Sequence, residues 1–312
     1  MMKIAIFGAT SEIAKDLIVS FSVSNDHELV LFARRPQEVA TWLNDVNLSN
    51  KCSVHEFSLF KEMANLDAIL NFVGAGDPAR ISEMGDSIFA VTMHYDQMAI
   101  DYLKLNPHCR YIFMSSGAAY GSDFLEPADE NTKASFNINK LEPKDWYGIS
   151  KFYAECRHRA LTNLHIVDVR IFNYFSSTQN LNAKYLMADI LIAIRNNEAL
   201  QTSEENIVRD YLGPNDFHQL IKKILLAPQA NIAIDGYSKA PISKFRLLDK
   251  LHLGFGLKFE VKPAFNSIEA TGLKLNYFSK NYLAATLGYA PSNSSFEVVI
   301  KGITATLENK NE

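Results

Sequence analysis

Short apolar runs alternate with helix-like stretches through the first half of the chain, and this alternation constrains the fold more than any other feature. Lys3–Phe7 reads as a strand and Ser11–Ser20 as a helix. Glu28–Ala33 reads as a second strand, followed by a helical stretch from Pro36. Ser53–Phe57, Asp67–Val73, Tyr111–Met114 and His165–Ile171 read as further strands, and Ser87–Leu105 and Ile149–Leu161 as helices. Strands that alternate with helices pair in parallel, and a sheet covered on both faces needs near-continuous apolar strands of this kind. The expected fold class is α/β, a doubly wound parallel sheet. Ligands in such sheets bind beyond the carboxyl ends of the strands.

After Asn173 the pattern changes. Lys184–Asn196 reads as a helix, Asn206–Tyr211 as extended and Asp216–Leu226 as a helix, with Gly, Pro and Ser punctuating the remainder. With 312 residues, the chain has room for one large domain and a smaller lobe. The expected division is a doubly wound domain over 1–175 and a smaller C-terminal, substrate-side lobe over 176–312. The lobe is expected to pack on the sheet and interleave with the domain instead of folding independently. The polar tail ENKNE is expected to fray.

A net charge of −4 gives no global basic field, so a nucleic-acid partner is not expected. No apolar stretch has the length of a membrane span. KIAIF is short and runs straight into a glycine turn, as a buried strand does, so export is not expected either. Cys52, Cys109 and Cys156 are odd in number and form no CxxC pair, which argues against a disulfide framework or a structural metal site. They fit a reducing, cytoplasmic setting.

KIAIFGATSEIAKDL gives strand, tight turn and helix, the context of a dinucleotide site. A helix N-terminus there offers free N–H groups to a pyrophosphate, and Gly8 permits the turn. The glycine pattern is degenerate. A GxxGxxG register puts Ser11 and Ala14 at its later glycines, and a GxxxGxG register puts Glu12 and Ala14 there. A βα turn without a ligand is the alternative. The second strand ends in LFARRP, with no acid to hold both ribose hydroxyls. Arg34 and Arg35 suit a 2′-phosphate, which favours NADP(H) over NAD(H). The alternative is a solvated arginine pair.

WYGISK puts Tyr147 and Lys151 four apart, on one face of a helix. An ammonium beside a phenol lowers its pKa from ~10 and makes Tyr147 a usable proton donor or acceptor. An exposed helical pair is the alternative. Upstream, YIFMSSGAAYG ends a strand at Ser116, where a hydroxyl can hydrogen-bond a substrate oxygen or simply cap a helix. Gly turn, arginine pair, NFVGAG, SSGAAYG and WYGISK all fall at one edge of one sheet.

Together these motifs resemble the extended short-chain dehydrogenase/reductases, the NAD-dependent epimerase/dehydratase family, which act mainly on nucleotide sugars. SSGAAYG resembles that family's SSxxVYG, and Tyr147 with Lys151 its YxxxK. VRIFNYFS, IVRDYLGPNDF and LGYAPSNSSFEVVIKGI resemble its later motifs, so the likeness spans nearly the whole chain. The resemblance implies that Ser116 binds the reacting oxygen, Tyr147 transfers the proton, and Lys151 tunes Tyr147 and holds ribose. It implies a cofactor-binding set of Gly8, Thr10, Ser11, Glu12, Ile13, Arg34, Arg35, Phe72, Val73, Gly74 and Lys151. It also places Asn173 and Arg209 on the nucleotide sugar. Their alternatives are a turn former and a surface ion pair with Asp210. Relatives of this kind often dimerise, and a homodimer through the helices at Ser87–Leu105 and Ile149–Leu161 is one use of apolar positions that serve equally well as core.

The same resemblance orders the reactions. Dehydratases carry acids just after the catalytic hydroxyl, whereas Gly117, Ala118 and Ala119 cannot transfer protons. Bifunctional epimerase–reductases use a cysteine near this position, and none is present. His158 lies eleven residues past Tyr147, about 16 Å along a helix and too far for direct chemistry. Reduction of a 4-keto-6-deoxy nucleotide sugar is the leading expectation. Next comes 4-epimerisation with tightly held NAD, then a catalytically idle Rossmann protein acting as a binding or regulatory module.

Overall fold

The computed structural model describes residues 1–74, 78–181, 185–263 and 274–308. The main sheet is built from β1 (Met2–Phe7), β2 (His27–Phe32), β3 (Cys52–His55), β4 (Ala68–Asn71), β5 (Arg110–Ser116), β6 (Ile166–Ile171) and the strand Asn231–Asp235. Across the sheet they run Asn231–Asp235, β6, β5, β4, β1, β2, β3, and every pair is parallel. The order reverses between β1 and β4, the position where doubly wound sheets open a crevice for a nucleotide.

Period-2 alternation explains why these strands read as solid apolar runs. Ile4, Ile6, Leu29, Leu31, Ile112 and Val167 point to one face, where helices α1 (Glu12–Ser24) and α2 (Pro36–Asp45) and the helix Pro214–Leu226 cover them. Ala5, Phe7, Val30, Phe32, Tyr111 and Phe113 point to the other, against α4 (Ser87–Leu105) and α5 (Pro143–Ala160), with the short α3 (Pro78–Met84) preceding α4. Each fully buried large side chain of this kind stabilises the fold by about 1.5–3 kcal/mol.

Two differences from expectation bear on the site. Helix α5 begins at Pro143, not Ile149. Pro143 stands at its first position, and Glu142 with Asp145 closes a capping box, so the start lies where the backbone donors are satisfied. The sheet also takes its seventh strand, Asn231–Asp235, from residues assigned to the lobe. The rest of the C-terminal part has a core of its own, in which Phe175, Leu191, Tyr211, Leu248 and Val299 are buried together. Lys184 of the expected helix and residues 309–312 of the tail lie outside the described residues.

Candidate active site

The first half of the site is an open groove at the carboxyl ends of β1, β2 and β4. Gly8 makes the turn out of β1 with a φ of +77°, and a Cβ there would meet the backbone of Phe72 and Val73 at 3.0 Å. Only glycine lets the two loops approach this closely. Thr10 and Ser11 line the groove at the start of α1, Arg34 and Arg35 at the end of β2, and Phe72, Val73 and Gly74 after β4. Arg80 of α3 lines it too. Sequence reading missed Arg80 because it belongs to no motif. Glu12 and Ile13 do not line this groove. Ile13 packs against the core, and the Glu12 carboxylate accepts a 3.4 Å hydrogen bond from Gln179. Arg35 is tied to Glu38 at 2.9 Å, while Arg34 is exposed and makes no ion pair among the described residues.

The loop after β4 rests on a buried relay. Val73 N–H donates to Asn71 Oδ1 (2.9 Å), Asn71 Nδ2 donates to the Tyr111 hydroxyl (2.8 Å), and that hydroxyl donates to Asp96 (3.0 Å). A Cβ on Gly74 would stand 3.6 Å from Lys151 Nζ, so the groove abuts the second half of the site.

That second half is where β5 meets α5. Ser116 ends β5, and its Oγ accepts from Ala118 N–H at 3.2 Å. Gly148 lets α5 approach, since a Cβ there would come within 2.5 Å of the Ala118 carbonyl oxygen. Tyr147 is thereby set beside Ser116. Burial pushes its phenol up, and the hydrogen-bonding Ser116 hydroxyl pulls it the other way.

This corrects the expectation that Lys151 lowers Tyr147. The Lys151 ammonium donates to the Met114 carbonyl at 2.8 Å and stands 5.8 Å from the Tyr147 ring centroid. Burial lowers Lys151 itself to about 8, against the pull of Asp96, Glu155 and Asp168. His158 is fully buried beneath the site, its two ring nitrogens 2.6 Å from Asp168 and 2.7 Å from Asp96. Burial disfavours its charge, but the two carboxylates outweigh that and push it up to about 9.

On the far side of Ser116, Asn173 spends its amide protons on the backbone carbonyls of Asp210 (3.2 Å) and Tyr277 (3.3 Å). Arg209 donates to the carbonyls of Val208 and Lys274. The expected alternative of an Arg209–Asp210 ion pair is not what forms, because the buried Asp210 carboxylate accepts from Ser238 N–H and the Ser295 hydroxyl. Sequence reading also missed Tyr277, whose hydroxyl lies 3.3 Å from Ser116 Oγ. No motif marks it, and only the tertiary fold brings it there.

Among the described residues there is no cluster of side chains able to hold a metal, and no helix is long and apolar enough to cross a membrane. The sequence model of the NAD dependent epimerase/dehydratase family matches residues 4–235. No curated protein matches the chain. Solved structures do. A dTDP-glucose 4,6-dehydratase from Bacillus anthracis str. Ames, in complex with NAD, is 14% identical with a TM-score of 0.80, over 100% of this chain and 98% of that one. A UDP-glucose-4-epimerase from Stenotrophomonas maltophila, with bound NAD and formylated UDP-arabinopyranose, is 16% identical with a TM-score of 0.79, over 100% and 99%. A UDP-N-acetylglucosamine 4-epimerase from Methanobrevibacter ruminantium, in complex with UDP-N-acetylmuramic acid, is 16% identical with a TM-score of 0.80, over 99% of each chain. At these identities the likeness establishes the fold.

Proposed function

The chain belongs to the NAD dependent epimerase/dehydratase family, and from that premise we propose that it reduces a keto nucleotide sugar with NADPH, using Tyr147 as the proton donor. The observation that carries this reading is the character of the groove. Strand β2 delivers Arg34 and Arg35, with no carboxylate, to the place where a doubly wound site holds the adenosine ribose, and Arg80 lines the same groove. Guanidinium groups match a 2′-phosphate in charge and geometry.

The residues present fit a dinucleotide. Gly8, Thr10 and Ser11 offer backbone at the start of α1 for the pyrophosphate, and Val73 and Gly74 lead to Lys151. When bound, the nicotinamide supplies a hydride to the carbonyl carbon. Ser116 orients the carbonyl oxygen by hydrogen bonding, and Tyr147 gives that oxygen its proton. Lys151 fixes the end of β5 against α5. Gly117, Ala118 and Ala119 bring no proton-transferring group, so Tyr147 has no second acid or base just after Ser116 to assist an elimination of water.

A second reading, 4-epimerisation of a UDP-sugar with retained NAD, is favoured by the solved epimerases of the same fold that hold NAD or nucleotide sugars. One assay separates the two. NADPH absorbance should fall in step with loss of a 4-keto-6-deoxy nucleotide sugar. Interconversion of two sugar nucleotides by the purified protein, with no cofactor added, would overturn reduction in favour of epimerisation.

A further inference from the structure

Serine Oγ carries one proton and two lone pairs. In Ser116 one lone pair takes the Ala118 N–H at 3.2 Å. The Tyr277 hydroxyl stands 3.3 Å away on the other side. Both oxygens are buried and keep their protons, but a phenolic O–H is the stronger donor and an alkyl hydroxyl the better acceptor, so the contact is best made with Tyr277 donating. Among the described residues the acceptor within reach of that proton is Ser116 Oγ. With both lone pairs engaged, the remaining role of Ser116 is to donate.

Tyr277 is also held in place. Its ring meets Phe124 edge-on at 4.8 Å and Phe172 at 5.1 Å. Its backbone carbonyl takes the 3.3 Å hydrogen bond from Asn173. The charged groups facing it are Lys274, with Nζ 4.3 Å from the ring centroid, and Arg209 at 5.9 Å. Asn173 thus serves as a strap for the tyrosine.

We propose that Tyr277 is a positioning residue of the proton-transfer centre: its hydroxyl donates to Ser116 Oγ and so directs the Ser116 proton toward Tyr147 and the substrate oxygen. This rests on reading Ser116 and Tyr147 as the proton-transfer pair. Donation into Ser116 polarises its O–H, and a more polarised donor stabilises the Tyr147 phenolate. The residue acts through Ser116 and touches no reacting atom.

The test reads Tyr147 ionisation by 13Cζ-tyrosine NMR in the full chain saturated with NADP+ or NAD+, whichever it binds, with the resonance assigned by Tyr147→Phe. In Tyr277→Phe, which keeps the packed ring, Tyr147 should ionise about half a pH unit or more higher, roughly a threefold weaker acid. Ser116→Ala should raise it as well, and adding Tyr277→Phe to Ser116→Ala should raise it no further. An unmoved Tyr147 in either single variant, or the same shift from Tyr277→Phe in both backgrounds, overturns the proposal. Turnover read in parallel keeps the two readings apart. Loss of turnover in Tyr147→Phe and Ser116→Ala upholds the functional reading whatever Tyr277 does, and retained turnover in both defeats that reading while the ionisation cycle still decides whether Tyr277 acts on Ser116.

Discussion

The Lys151 ammonium sits 2.8 Å from the Met114 carbonyl oxygen, joining the middle of α5 to the end of β5. Burial lowers its pKa from 10.5 to about 8. The folded protein therefore binds fewer protons than the unfolded chain between those values, and the Lys151 contribution to stability rises with pH across that window and is lost as pH falls through about 8. Lys151→Met should lack this pH-dependent increment in thermal melts at pH 7.5 to 10. Its turnover should fall by about 10²-fold or more. Lys151→Arg should not restore turnover, because a planar guanidinium does not fit a site shaped for an ammonium. Rescue by arginine would contradict the assignment.

His158 makes the opposite pH prediction. Its folded pKa is raised from 6.5 to about 9, so its stabilisation is complete below about 6.5 and is lost as pH rises through about 9. The shift corresponds to about 3 kcal/mol. His158→Gln should lose that much at pH 6 and little at pH 10, measured by urea unfolding. Equal destabilisation at both values would mean that packing, not charge, accounts for His158.

Gly148→Ala tests how closely α5 must approach the turn after β5. The added Cβ would lie 2.5 Å from the Ala118 carbonyl oxygen, so the helix must shift. The variant should lose about 1–3 kcal/mol of stability. Turnover should fall at least tenfold, because Tyr147 moves with the helix while Ser116 stays on the strand. Wild-type stability and turnover would refute this packing.

Cofactor choice should depend on Arg34 more than on Arg35, which Glu38 already engages at 2.9 Å. Arg34→Ala should weaken NADPH binding by about ten- to a hundredfold and leave NADH nearly unchanged. Arg35→Ala should have a smaller effect. Fluorescence titration with both cofactors decides this, and equal loss for both would remove the 2′-phosphate from the account.

Strands β1, β2, β4 and β5 were legible because each keeps a run of buried apolar residues, whereas the edge strand β3 and β6, which Asp168 interrupts, were legible from their place in the strand–helix alternation. Asn231–Asp235 was not, because its last residue is a fully buried aspartate that accepts from Arg170 and Ser279, and a charge at a strand end reads as surface. The groove glycine and the Ser116, Tyr147 and Lys151 positions were legible because local spacing fixes them relative to strand ends and one helix face. The direction of the Lys151 side chain was not, since spacing places Lys151 beside Tyr147 without revealing the Met114 carbonyl behind it. His158 was set aside by its distance along the helix, and only the fold puts Asp96 and Asp168 at its two nitrogens. Tyr277 and Arg80 reach the site from segments with no motif.

The most direct test of the account follows the hydride. NADPH deuterated at the transferred position of its nicotinamide is mixed with a 4-keto-6-deoxy nucleotide sugar, and the product is read by mass spectrometry and NMR. One deuterium on the new carbinol carbon for each NADPH oxidised, lost together with turnover in Tyr147→Phe, is the predicted result. A sugar interconverted with no deuterium incorporated and no NADPH consumed would contradict it.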